Sequence, residues 1–185
     1  FSKFRISGPG ALDLLQYLAV SNIDKPIGKI IYTQFLNSRG GIEADLTISR
    51  TGEEEFYIVT GSAFGVHDRS WIEKHSPRDG SVVIDDLTEE FGVINLCGPH
   101  ARDVLQNVTD DDISNENLPF SSYADIRVAG HPIRAMRIGY VGELGWEMHM
   151  GRENMPAVYK TLAEAGSQYD IADVGYRAID SLRME

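Results

Sequence analysis

The segment Gly139 to Met150, GYVGELGWEMHM, sets two glutamates, a tyrosine and a tryptophan around three glycines and then runs into an alternating stretch. Successive strand side chains point to opposite faces, so Trp146 and Met148 fall on one side and Glu147 and His149 on the other. Glu is a poor choice inside a strand. Glu147 is therefore either part of a solvated polar face or a placed hydrogen-bond acceptor. Asp45 raises the same question in GGIEADLTIS, where Ile42, Ala44, Leu46 and Ile48 share one face and Glu43, Asp45 and Thr47 the other. Asp is depleted in strand interiors. The alternatives are an exposed polar face or a carboxylate held still on a rigid strand beside a Gly-Gly turn. Tyr32 and Tyr140 sit in or at the ends of strands, where core packing competes with ligand contact. Arg177 and Arg183 lie six residues apart in a helical pattern, off a common stripe, so spacing singles out neither.

Other chemistries are disfavoured. The five histidines, His67, His75, His100, His131 and His149, show no H-x-x-x-H or H-x-x-H spacing, and the single Cys97 cannot complete a zinc site. No metal is expected. There is no G-x-S-x-G elbow, no G-x-G-x-x-G and no P-loop. Cys97, in INLCGP, is expected to be inert core, and one cysteine excludes an internal disulfide and fits a reducing compartment. The net charge of −11 argues against sequence-independent nucleic-acid binding and an anionic membrane surface, while leaving room for an anionic small ligand held by local arginines. No apolar run approaches the ~20 residues of a membrane span.

An internal echo organises the chain. KFRISGPGALDLLQYL and FGVINLCGPHARDVLQNV both read as strand, Gly-Pro, helix, with Ala two residues after the proline; proline is comfortable near a helix start, where its missing N–H has no intrahelical partner. Each copy is followed by strand patterns (IIYTQFL, IEADLTIS and EEFYIVT, then YADIRVA, HPIRAMRIGY and GWEMHM) and a helix. The expected fold is α+β, two similar halves with antiparallel sheets flanked by helices. The polar link Asp110 to Pro119 is the expected joint, giving halves at 1–110 and 111–185, interleaved. The chain starts at Phe1 and stops at Glu185 within a helical pattern, which reads as a piece of a longer polypeptide.

Three stretches resemble one family. GYVGELGWE is similar to the G-Y-x-G-E-x-G-x-E motif of the folate-binding aminomethyltransferases, whose type member is the T-protein of the glycine cleavage system. LNSRGGIEADLTISR resembles the family's Gly-Gly-x-x-x-Asp-Leu strand, and VGYRAIDSLRME its Arg-x-x-(Asp)-Ser-Leu-Arg-x-Glu helix. The motifs fall in order and the resemblance covers essentially all 185 residues. FSKFRISGPGA, YTQFLNSRGG, SWIEKH and AGHPIRAMRIGYVGELGWE look most like the C-terminal half of sarcosine and dimethylglycine dehydrogenases. Gly61, where the glycine-cleavage branch typically carries Asn, points the same way.

The resemblance implies tetrahydrofolate as cofactor, with Asp45 as the catalytic carboxylate, Glu147 as the pterin acceptor, and Tyr32, Tyr140 and Arg177 as further cofactor-binding residues. Asp45, Tyr140 and Glu147 are expected to line one cleft. It implies one-carbon transfer from an N-methyl amino acid to tetrahydrofolate. FAD would be confined to a domain upstream of Phe1, and a small β domain would follow Glu185, so the rest of the parent polypeptide is the expected partner. A folate-dependent demethylase of another methylated substrate and a non-catalytic folate-binding regulatory module are the alternatives. The expected location is a bacterial cytoplasm or a mitochondrial matrix.

Overall fold

The computed structural model describes residues 1–185, apart from the side chain of Tyr176. Strand β1 (Ser2–Ser7) leads through Gly8-Pro9 into helix α1 (Ala11–Leu18), whose Ala11, Leu14, Leu15 and Leu18 form one buried stripe at helical spacing. Strands β2 (Ile30–Leu36), β3 (Ile42–Gly52) and β4 (Glu55–Thr60) follow, then a 3-10 turn (Ser62–Phe64), helix α2 (Gly65–His75) and strand β5 (Val83–Asp86). The second set runs β6 (Phe91–Cys97), α3 (Ala101–Gln106), β7 (Tyr123–Val128), β8 (His131–Met136), β9 (Gly145–Gly151), a 3-10 turn (Arg152–Asn154) and α4 (Met155–Gly166). Helix α5 (Tyr176–Arg183) ends the chain.

The chain divides into two units, Phe1–Phe91 and Gly92–Glu185. Their sheets share a topology: β2-β3-β4-β1-β5 in the first and, read from the other edge, β7-β8-β9-β6 in the second. The paired strands run antiparallel, which suits short turns between consecutive strands. The Gly-Pro echo is structural. Gly8 and Gly98 adopt φ of +109° and +123°, a region that L side chains avoid. The Gly8 N–H donates to the Glu54 carbonyl at 2.9 Å, and the Gly98 N–H to the Leu144 carbonyl at 2.8 Å. Each acceptor immediately precedes the strand paired beside it. The N–H groups of Ala11 and Ala101 then return to the carbonyls of Gly8 and Gly98 and start α1 and α3.

Each unit buries its own core between one sheet face and its helices. In the first, Phe4, Ile6, Leu15, Phe35, Ile48, Phe56 and Ile72 pack together; in the second, Leu105, Ile133, Trp146, Met148, Val158 and Leu162. The division falls at the head of β6, ahead of the polar link at Asp110 to Pro119. Strand β6 joins β9, and Ile113 and Leu118 of that link are buried in the second core. The strands of each sheet come from one contiguous stretch.

Two expectations need correction. The pattern HPIRAMRIGY suggests a strand reaching Tyr140, but β8 ends at Met136. The Ile138 N–H turns back to the Met136 carbonyl at 2.9 Å, which takes the chain out of the ladder and leaves Tyr140 in a loop. Cys97 is exposed rather than core, because Leu96 takes the inward position of β6. No helix among the described residues is long and apolar enough to cross a membrane.

The two glycines give a graded test. A Cβ at Gly8 would lie 2.4 Å from the Ser81 carbonyl oxygen, whereas at Gly98 it meets nothing within 4 Å. Gly98→Ala should therefore carry only backbone strain, of order 1–3 kcal/mol, and Gly8→Ala distinctly more. Urea unfolding of the two single variants measures both. Equal losses would contradict the close approach at Gly8.

Candidate functional site

The β2–β3 hairpin closes on Asn37. Its Oδ1 accepts the N–H groups of Arg39 at 2.9 Å and Gly41 at 3.0 Å, and its own N–H donates to the Gly41 carbonyl at 2.9 Å. With an irregularity between Phe35 and Leu36, this turn sets a register that places Gln34 opposite Asp45 and Tyr32 opposite Thr47. Cross-strand partners share a face, so three polar side chains meet on the side away from Ala44, Leu46 and Ile48. Tyr32 Oη donates to Asp45 Oδ2 at 2.9 Å, and Gln34 Nε2 donates to Asp45 Oδ1 at 2.9 Å. Both carboxylate oxygens are thus fixed, at lengths typical of good hydrogen bonds. A carboxylate offers about four acceptor positions, so each oxygen keeps capacity for a further donor. Tyr32 is 64% exposed and Asp45 is exposed too; the cluster is open to a ligand.

In the second unit, Trp146, Met148 and Met150 of β9 point into the core, and Glu147 and His149 occupy the other face. That face is not solvated here: Glu147 is 6% exposed and His149 1%. Glu147 Oε2 lies 3.5 Å from His149 Nε2. A buried carboxylate is costly without donors, so Glu147 is a strong acceptor suited to an N–H-rich ligand. Gly145, which heads the strand, is set by close approach: its Cβ would fall 2.4 Å from the Leu96 carbonyl oxygen.

Tyr140, half exposed, carries the Arg183 guanidinium 4.3 Å from its ring centroid, and Arg183 Nη1 also donates to the Tyr140 hydroxyl. Arg177 is exposed on α5. Six residues at 3.6 per turn set the two arginines about 120° apart around the helix, and the α5 arginine on the motif tyrosine is Arg183, not Arg177. Of the residues singled out by sequence, Tyr32 and Asp45 are brought together in the first unit. Tyr140, Glu147 and Arg177 lie in the second, and among the described residues no hydrogen bond or ring contact joins those three. Gln34 was missed, although the period of a strand carrying Tyr32 on its polar face also puts Gln34 there. Arg183 was missed because helical spacing alone ranks neither arginine. An open depression of about 440 Å³ beside α2 and one of about 600 Å³ beside α3 include none of these side chains.

The Arg183 contact is testable by side-chain reactivity. Cation–π contacts at exposed sites are worth about 0.5–1 kcal/mol. Arg183→Ala should speed nitration of Tyr140, read by peptide mass mapping, and Arg177→Ala should leave it at the wild-type rate. Equal effects would refute the assignment.

Residues 1–185 match the family model for the GCVT N-terminal domain. Mouse (Mus musculus) mitochondrial sarcosine dehydrogenase is 37% identical over 199 residues, covering 100% of this chain and 22% of that protein. Mouse mitochondrial dimethylglycine dehydrogenase is 38% identical over 186 residues, covering 100% and 21%. The chain therefore spans about a fifth of the length of these relatives. The crystal structure of the glycine cleavage system aminomethyltransferase T from Bartonella henselae aligns with a TM-score of 0.83 at 26% identity, over 99% of this chain and 48% of that one. Two antiparallel sheets in a repeated strand order, flanked by helices, are thus the aminomethyltransferase fold, and the chain belongs to the GCVT N-terminal domain family.

Proposed function

We propose that this chain is the tetrahydrofolate-dependent one-carbon transfer module of a larger enzyme that oxidatively demethylates sarcosine or dimethylglycine. The observation that carries the reading is the Asp45 carboxylate, held at both oxygens by Tyr32 and Gln34 in a chain that matches the family over its whole length. The residues suit the cofactor. A reduced pterin presents N–H donors, and Glu147 is a buried acceptor. The anionic glutamyl tail of a folate calls for a cation, and Arg177 is exposed on α5. Flavin chemistry belongs to a part of the parent polypeptide outside this chain, and the expected compartment is a mitochondrial matrix or a bacterial cytoplasm.

Tetrahydrofolate, when bound, supplies the nitrogen that takes up a one-carbon unit at the formaldehyde level. The protein's part is electrostatic and positional. Asp45 would stabilise positive charge developing on a carbon–nitrogen unit beside it and would take up a proton released from nitrogen. Tyr32 and Gln34 keep the carboxylate from reorienting during the step, so its stabilisation is preorganised. Glu147 would hold a pterin ring by accepting its N–H groups, and Tyr140, contacted by Arg183, would be a further residue for it.

Binding and catalysis separate by mutation in the full-length protein. Asp45→Asn keeps shape but loses charge, and should lower the folate-dependent rate by ~10²-fold or more with a smaller change in folate affinity. Glu147→Gln should instead weaken folate binding by about 1.5–3 kcal/mol. Amine oxidation should survive both changes. An Asp45→Asn enzyme that loads folate at the wild-type rate would leave a folate-binding module without catalytic function here.

A further inference from the structure

The first turn of α2 reaches β3 on both sides of Asp45. Its anchor is Asp68, 1% exposed. A carboxylate buried to that extent requires hydrogen-bond donors. Asp68 lies one turn ahead of Ile72 on the buried stripe of α2, where an apolar side chain would pack without needing any. Both its oxygens are engaged. Thr60 Oγ1 donates to Asp68 Oδ2 at 2.5 Å, and His67 Nδ1 lies 3.0 Å from Asp68 Oδ1.

Each arm continues to the hairpin. Thr60 ends β4 opposite Leu46 in the antiparallel ladder, which sets it beside the β3 residue that follows Asp45. On the other arm, His67 Nε2 faces Glu43 Oε2 at 3.4 Å, and Glu43 Oε1 accepts from Asn37 Nδ2 at 2.8 Å. Asn37 is the residue that closes the β2–β3 turn. The hydrogen bond to Asp68, reinforced by Glu43, pushes the His67 imidazole above its ordinary range, which favours the cation that both carboxylates attract. An acidic residue serving only the helix dipole would sit at an exposed N-terminus; this one is buried and points at the end of β4.

We propose that Asp68 is a positioning residue for Asp45. Through Thr60 it anchors the end of β4 against which Leu46, the neighbour of Asp45, is paired, and through His67 and Glu43 it holds the turn that sets the Tyr32–Gln34–Asp45 register. The inference rests on the reading of Asp45 as the catalytic carboxylate.

The test uses the full-length parent protein with Thr60→Val, Thr60→Ser, Asp45→Asn and the Asp45→Asn/Thr60→Val pair. Val keeps the shape of Thr but lacks the hydroxyl; Ser keeps the hydroxyl. Thr60→Val should lower kcat of the folate-dependent step ~10-fold with KM for tetrahydrofolate within ~2-fold of wild type, the pattern of a group that acts in the transition state. Thr60→Ser should restore kcat, and the pair should be no slower than Asp45→Asn alone, since coupled residues are not additive. A second readout needs no turnover. In the ligand-free protein, amide hydrogen exchange at residues 43–46 should quicken ~10-fold in Thr60→Val while residues 48–50 keep their protection, because local opening is read segment by segment.

Wild-type kcat and exchange in Thr60→Val would overturn the inference, as would losses spread evenly over the sheet that Ser does not rescue. If Thr60→Val does not fold, Asp68→Asn takes its place with the same readouts, and wild-type behaviour there overturns it equally. A slow Asp45→Asn beside a wild-type Thr60→Val would refute the positioning role alone. An Asp45→Asn at the wild-type rate would instead refute the catalytic reading on which it rests.

Discussion

The pairing of β3 with β2 on one side and β4 on the other is the constraint on which the first unit's chemistry depends. Strand side chains alternate with a period of two, so a slip of one residue would turn Asp45 into the core and Leu46 out of it. The Asn37 turn prevents that slip on the β2 side by locking the hairpin's end. On the β4 side, Leu46 opposite Thr60 and Ile48 opposite Ile58 bury four residues along two adjacent strands, and a slipped register would expose them. The orientation of one exposed carboxylate is thus enforced by the packing of the opposite sheet face. That arrangement lets Asp45 remain open to a ligand without being loose.

The second unit carries different side chains on the same scaffold. Strand β9 stands where β4 stands in its sheet, each between its unit's Gly-Pro strand and the next strand of the meander. Each also runs into a glycine, a 3-10 turn and a helix. Counted from those glycines, Glu147 falls at the place of Tyr57. Both are buried on the face away from the helices, at 6% and 3% exposure. The same backbone position therefore carries an aromatic ring in one unit and an acceptor in the other. The carboxylates differ in exposure as well. Asp45 is open and held by two neutral donors. Glu147 is enclosed, where a group without donors would leave its carboxylate unpaired. Fold and chemistry separate here: the repeat supplies position, and single side chains supply function.

Much of the fold was readable because local signals agreed. Gly-Pro after an alternating strand marked both helix starts, and NSRGG marked the hairpin whose register matters most. The polar face of β3 followed from the alternation of Ala44, Leu46 and Ile48, whereas Ile42, expected on their face, is 68% exposed at the head of the strand. What escaped reading depended on contacts across sequence. Alternation places Glu147 opposite Trp146 but does not say that its face is covered. The end of β8 is decided by one backbone hydrogen bond at Ile138, which apolar pattern cannot register. Cys97 looked like core because INLC is uniformly uncharged, yet Leu96 alone of that pair turns inward. Asp68 gave no signal at all: an acidic residue in the first turn of a helix is ordinary, and only the burial of its carboxylate against Thr60 makes it distinctive.

The central claim is that this fold presents its carboxylates to a reduced folate. Isothermal titration calorimetry of the full-length parent protein with tetrahydrofolate tests it most directly. The account predicts saturable binding at one site per chain, retained when Asp45 is replaced by Asn. Absence of saturable heat in the wild-type protein, or binding abolished by Asp45→Asn, would contradict it.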